Sequence, residues 1–213
     1  MDSEGFVVKA IDLEQNPYAK NLVYNVISYD GKNIPFPDEY FDVVFSSNVL
    51  EHIAHIDQFL LEMKRVLKSN GIAIHILPTG SWRFWTNMSH YLYIIKAMLL
   101  MVHPKLQDKD RLFESAIKRT HEYSKAKIIR KIVLPSRHGE LVNFIEEIYY
   151  FSRFHWISLF QKTGWTIKSC RPNKLFYTGY SVLGSLLKKK IRHIMSYLLG
   201  SSCLIYYITK KSS

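Results

Sequence analysis

Cysteine is nearly missing from this 213-residue chain. Cys170 and Cys203 stand 33 positions apart with no second pair, which builds neither a disulfide framework nor a cysteine-based zinc site. A reducing, cytosolic setting is the matching expectation. Long uncharged apolar runs are missing as well: in the most hydrophobic segment, 82–103, Arg83 and Lys96 interrupt the sequence, so no stretch of about 20 residues could span a bilayer. The opening Met1-Asp2-Ser3-Glu4-Gly5 lacks the basic-then-apolar order of a secretory signal, which argues against export. There is no internal repeat, and a chain that is 47% hydrophobic and 14% aromatic is not globally disordered.

Acidic residues are also scarce, 18 against 29 basic ones, and the deficit is uneven. Residues 1–81 carry a net −5, residues 82–137 a net +8 and residues 138–213 a net +8. A basic later part suits an anionic partner: a phosphorylated small molecule, an anionic lipid surface or nucleic acid. Charge does not choose among them. Nucleic acid finds no further support, because helix-turn-helix, zinc and aromatic-stacking signatures are all absent.

Periodicity predicts alternating strands and helices. Residues 6–13 read as a strand delivering Asp12 at its end, and residues 22–29 as a second strand stopped by Asp30-Gly31. Pro35 and Pro37 make an extended loop. Phe41 to Ser46 fits a buried strand, after which Ser47 or Asn48 can cap a helix. Val49, Ile53, Ile56, Leu60, Met63 and Leu67 recur at spacings of 4, 3, 4, 3 and 4. That is one buried helical face, open to a break near His55 with Asp57 as a second cap. Asn70-Gly71 predicts the helix stop, and Ile72 to Leu77 a further buried strand closed by Pro78. Residues 82–103 predict a packed helix, with an interfacial helix on lipid as the alternative. Residues 104–137 read as a basic insertion, 139–163 as a helix, and Trp165 to Ser169 as a strand. A basic helical patch, Leu186 to Leu199, has a solvated face as its plain explanation, and Cys203 to Thr209 is the last strand.

Four pieces of the segment Asp30 to Pro78 stand in a telling order. They are Asp30-Gly31 with Ile34-Pro35-Phe36-Pro37-Asp38, then Phe41-Asp42-Val43-Val44-Phe45-Ser46-Ser47, then Val49-Leu50-Glu51-His52-Ile53, and last Glu62 to Lys68 with Gly71. Together they resemble the core of a class I S-adenosylmethionine-dependent methyltransferase of the type-11 group. The resemblance implies an α/β, Rossmann-like sheet, mostly parallel, with a C-terminal antiparallel strand pair. It implies S-adenosylmethionine as cofactor and methyl transfer to a small-molecule or lipid- or glycan-linked acceptor. Asp12 matches the family's acidic residue on the ribose hydroxyls, a role that suits a carboxylate's two oxygens. Asp30, with the backbone of Gly31, matches the acidic residue on the adenine amine. A surface aspartate and a turn aspartate are the competing explanations. Ser46 and Ser47 fall where the family holds the methionine end of the cofactor.

One departure from the family stands out. Its first strand, Gly-rich loop and following helix need about 30 residues ahead of the Asp12 position, whereas 11 residues stand there and no Gly-x-Gly-x-Gly occurs in the chain. The expectation is an N-terminally truncated sheet whose neighbouring strands lose their shared partner. The domain reading is a cofactor-binding core at 1–81, a helical basic acceptor-side insertion at 82–163, and C-terminal strands at 164–213 that complete the domain. Acceptor-side candidates are His138 as a base, with Glu140, Glu147 and Tyr150 lining the site. His52 reads as structural, at the start of a buried helix. A cytoplasmic protein is expected, with peripheral contact at an anionic inner membrane surface as the extension of its basic, aromatic segments. The alternative is a non-catalytic protein of the same fold, acting as a partner or membrane-surface subunit.

Overall fold

The computed structural model describes residues 5–13, 24–102, 138, 143, 145–178 and 187–211. Glu140 and the basic segment 104–137 lie outside the described residues. Two short strands, β1 (Ala10–Leu13) and β2 (Val26–Tyr29), pair in parallel, with Asp12 opposite Ser28. A second sheet holds β3 (Phe41–Ser47), β4 (Leu67–Pro78), β5 (Trp165–Pro172) and β6 (Cys203–Lys210) in the order β3-β4-β6-β5. β3 runs parallel to β4, while β6 is antiparallel to both β4 and β5. The C-terminal antiparallel pair is thus present, with β6 inserted against the parallel part.

Among the described residues no pairing joins β1 to β3. Each strand keeps one backbone edge without a strand partner. Among the described residues, one face of the larger sheet is completely covered. Ala73, His75, Leu77, Tyr206 and Ile208 point to that face and are 0% exposed. They meet Leu60 and Met63 of α1 (Ile56–Val66) and Trp156 and Phe160 of α4 (Arg153–Lys162). On the opposite face, Val43 is 49% and Phe45 57% exposed. The apolar run Phe41 to Ser46, read from sequence as a buried strand, is therefore buried on one side only.

Three boundaries differ from the sequence reading. The helical region 49–67 does break near His55, into a 3-10 turn, Leu50–His52, and α1, but its caps differ: neither Ser47, Asn48 nor Asp57 caps it, since Val49 and His55 hold the N-cap positions without side-chain bonds. The stop at Asn70-Gly71 is not used. The chain turns extended at Leu67, which is fully buried and pairs with Phe41, because the sheet's demand for a partner overrides the local stop signal. The helix expected at 139–163 is, in its described part, α3 (Glu146–Tyr150) and α4, separated where Ser152 accepts from the His155 N–H and starts α4 afresh.

The loop of Ile34 to Asp38 is held by one side chain. Arg65 on α1 donates to the carbonyls of Ile34 and Phe36, to Asp38 at 2.8 Å and to both oxygens of Glu62, while Glu62 accepts from the Ile34 N–H. Hydrogen bonds to Glu62 and Asp38 raise the Arg65 pKa, and the Arg65 guanidinium holds Glu62 below its usual range. This gives the motif pieces Ile34-to-Asp38 and Glu62-to-Lys68 a physical reason to occur together. Arg65→Ala is expected to cost about 2 kcal/mol, from the lost charge-assisted bonds discounted for partial exposure. Arg65→Lys should rescue little, since an ammonium lacks the planar fork. Urea midpoints check both.

The helix expected at 82–103 is α2 (Gly80–Val102). Thr79 accepts from the Trp82 N–H and donates to the Ser201 carbonyl, and Trp85 donates to the Leu199 carbonyl, so the start of α2 is tied to the end of α5 (Lys189–Leu199). Arg83 and Asn87 are buried, while Phe84, Met88, Tyr91, Leu92, Ile95, Met98 and Leu99 are between 40% and 60% exposed. No described helix is long and apolar enough to cross a membrane.

Candidate functional site

The first part of the site lies at the carboxyl ends of β1 and β2. Asp12 ends β1 and accepts from the Leu13 N–H at 2.8 Å. Asp30 follows β2 directly. Its Oδ1 accepts from the Lys32 and Asn33 N–H groups, and its Oδ2 from the Asn33 side chain at 3.2 Å. These bonds hold Asp30 below the usual carboxylate range and make it a turn aspartate as well. Gly31 has φ +77, a conformation that favours glycine, while the tip of the exposed Leu13 side chain, 2.9 Å from a Cβ built there, is free to move aside. Tyr29 reports on the pair: burial raises its pKa first, and the charges of Asp12 and Asp30 raise it further. The two carboxylates therefore share one neighbourhood, as adjacent parallel strands require.

The second part is at the end of β3. Ser46 is committed elsewhere: its hydroxyl bonds Nδ1 of the buried His75 at 2.8 Å. Ser47 is exposed and its Oγ accepts from Asn48. Asn48 has φ +52, a left-handed conformation that asparagine tolerates, and its N–H bonds the Ile76 carbonyl, tying the end of β3 to that of β4.

Beyond Asn48 the 3-10 turn presents Glu51 and His52. The Glu51 side chain is 0% exposed, and burial pushes its carboxyl up to about 7. His52 does not begin a buried helix. It closes the turn with its side chain 40% exposed, and its ring lies 5.0 Å from that of His138. The His138 ring also meets Trp82 at 4.8 Å and Phe151 at 6.0 Å. Burial lowers the His138 pKa, and the His52 and Arg83 charges lower it further, which favours neutral imidazole.

Glu147 is not part of a solvated face. It is fully buried, its Oε2 forms an ion pair with Arg83, and its Oε1 accepts from the His138 N–H at 2.8 Å. Tyr150 stays at the surface against His155, with ring centroids 4.6 Å apart. The basic patch departs from its solvated-face explanation at one residue. Arg192 is 5% exposed and donates to the Phe176, Thr178 and Leu187 carbonyls. Sequence reasoning passed over Glu51, whose adjacency to His52 was the available signal. It also passed over the Arg83–Glu147 pairing, for which the sequence holds none.

An acidic residue thus stands near the end of each of two adjacent strands, followed by the loop that Arg65 clamps. Residues 3–75 match the family model of a methyltransferase domain. The chain is similar to a ubiquinone/menaquinone biosynthesis C-methyltransferase, UbiE, of Laribacter hongkongensis, 34% identical over 93 residues, which cover 43% of this chain and 37% of the relative. A UbiE of Cupriavidus metallidurans is 44% identical over 64 residues, 30% of this chain and 26% of the relative. The matched region thus spans less than half the length of these relatives. Among solved structures, an S-adenosylmethionine-dependent methyltransferase from Listeria monocytogenes, described as putative, aligns with 95% of this chain and 78% of its own, at a TM-score of 0.48 and 15% identity.

Proposed function

We propose that this chain binds S-adenosylmethionine with its nucleoside between Asp12 and Asp30 and transfers the methyl group to a small-molecule or lipid- or glycan-linked acceptor. The observation that carries the reading is that both carboxylates stand at the carboxyl end of one parallel strand pair and act together on Tyr29. An exposed or half-exposed carboxylate keeps lone pairs for a sugar diol or an amine. The cofactor, when bound, supplies an already activated sulfonium methyl. The protein's tasks are then alignment, exclusion of water and removal of any acceptor proton. Ser47 and Asn48, exposed at the end of β3, would take the methionine end, whereas the Ser46 hydroxyl is already bonded to His75. His138 is the group on the acceptor side whose neutral imidazole could accept a proton, among Trp82, Phe151 and His52.

A surface-bound acceptor has support of its own. Beside the outward apolar face of α2, α5 exposes Ile191, Ile194, Tyr197 and Leu198 next to Lys188, Lys189 and Lys190. That combination suits an anionic lipid surface, and the printed names of the UbiE relatives place those enzymes in ubiquinone and menaquinone biosynthesis. The chain should sediment with anionic vesicles at low salt and be released at high salt; failure to sediment removes the lipid part of the reading.

That no pairing joins β1 to β3 among the described residues favours a second reading, a non-catalytic protein of the same fold. Isothermal titration with S-adenosylhomocysteine separates the two. The first reading expects saturable binding that Asp12→Ala weakens by about 10-fold or more, the worth of one charge-assisted hydrogen bond. A folded sample giving no heat overturns it in favour of the second.

A further inference from the structure

We propose that Glu51, His52 and His138 form a binding site for a divalent transition-metal cation of the zinc type. One carboxylate oxygen and two imidazole nitrogens, one from each residue, lie within 4.8 Å of one another. The decisive feature is Glu51. Its side chain is shut off from solvent, and among the described residues neither oxygen has a hydrogen-bond partner. His52 Nε2 stands 3.9 Å from Glu51 Oε1, too far for a hydrogen bond. A buried carboxylate with nothing to accept from is costly, and a cation shared with two histidines removes that cost.

The donor set selects the cation. Two imidazoles and a carboxylate match the ligands of zinc, cobalt and iron(II) sites; magnesium and calcium favour oxygen throughout. Bonds of about 2.0–2.2 Å in a tetrahedral site put ligand atoms roughly 3.4 Å apart. The three groups therefore need to draw in by about an ångström, within reach because both histidine rings are exposed enough to turn.

Supporting contacts hold the ligands as metal sites require. Glu51 and His52 are fixed by the 3-10 turn that follows β3, anchored by Leu50 at 1% exposure. His138 is fixed through its backbone by Glu147, which Arg83 holds in turn, and its ring is bounded by Trp82 and Phe151. Three protein ligands leave coordination positions for water or an acceptor oxygen. That last use rests on the methyl-transfer reading; cation binding does not.

The test uses the full chain, stripped with chelator and titrated with Co2+ alone, followed by displacement with Zn2+. One equivalent of cobalt should develop visible d–d bands that zinc abolishes and magnesium does not. His52→Ala and His138→Ala, both at exposed side chains, should each weaken binding on the order of 100-fold, the upper end of what removing even a supporting group costs. Glu51→Gln should do the same, and His193→Ala, on the exposed part of α5, should change nothing. No saturable cobalt spectrum, or an affinity indifferent to both His52→Ala and His138→Ala, overturns the proposal. Cation binding without binding of S-adenosylhomocysteine would sink the methyl-transfer reading alone; the converse would sink this one alone.

Discussion

Glu147→Ala is expected to destabilise the fold by about 3–5 kcal/mol, the cost of removing one partner from a buried ion pair. Side-chain exposure is 0% for Glu147 and 3% for Arg83, so the variant leaves a guanidinium in the interior without its counter-charge. It also removes the acceptor of the part-buried His138 N–H. Burial already lowers the Arg83 pKa, and Glu147 is what opposes that shift. A double variant, Arg83→Met with Glu147→Leu, should recover much of the loss, because it replaces both charges by apolar volume. Urea denaturation with an unchanged slope reads both effects. A single variant with the wild-type midpoint, or a double variant worse than either single one, would refute the coupling.

Stability is expected to fall by about 3 kcal/mol as acid is added from near pH 6.5 to near pH 4, through His75 alone. His75 is 0% exposed between β3 and β6, bonded to Ser46 and stacked on Phe160, and burial holds its pKa down at about 4 against an ordinary 6.5. The unfolded chain takes up this proton near pH 6.5, the folded one only near pH 4. Between those limits the unfolded state binds more protons, so stability rises with pH. The contribution is complete above the unfolded value and lost as pH drops through the folded one. Carboxylates titrate over part of the same range, so the wild type must be compared with His75→Gln, which keeps an acceptor for the Ser46 hydroxyl. Parallel stability profiles for the two chains would show that His75 is not the source.

The legible parts of this protein were those written in local spacing. The alternation of short apolar runs with a 4, 3, 4, 3, 4 helical pattern located β3 and the C-terminal ends of α1 and β4 to within a residue. Asp12 and Asp30 could be assigned to strand ends because the apolar runs 6–13 and 22–29 stop there, the second at Asp30-Gly31. The same logic failed at Leu67. There a helical stripe and a strand overlap in sequence, and pairing with Phe41 decided the boundary. It failed again in reading Phe41 to Ser46 as wholly buried, since an apolar run does not say whether one or both faces of its sheet will be covered.

The sequence by itself determined the order of the elements, the acidic residues at the ends of β1 and β2, and the motif pieces that Arg65 joins. Tertiary structure alone decided which polar groups would be buried and with whom: Glu147 with Arg83, Arg192 with three carbonyls, Ser46 with His75, and Glu51 beside two histidines. The physical reason is range. Secondary structure follows from neighbours a few residues apart, whereas a buried charge or imidazole is set by partners that meet it only when distant segments pack.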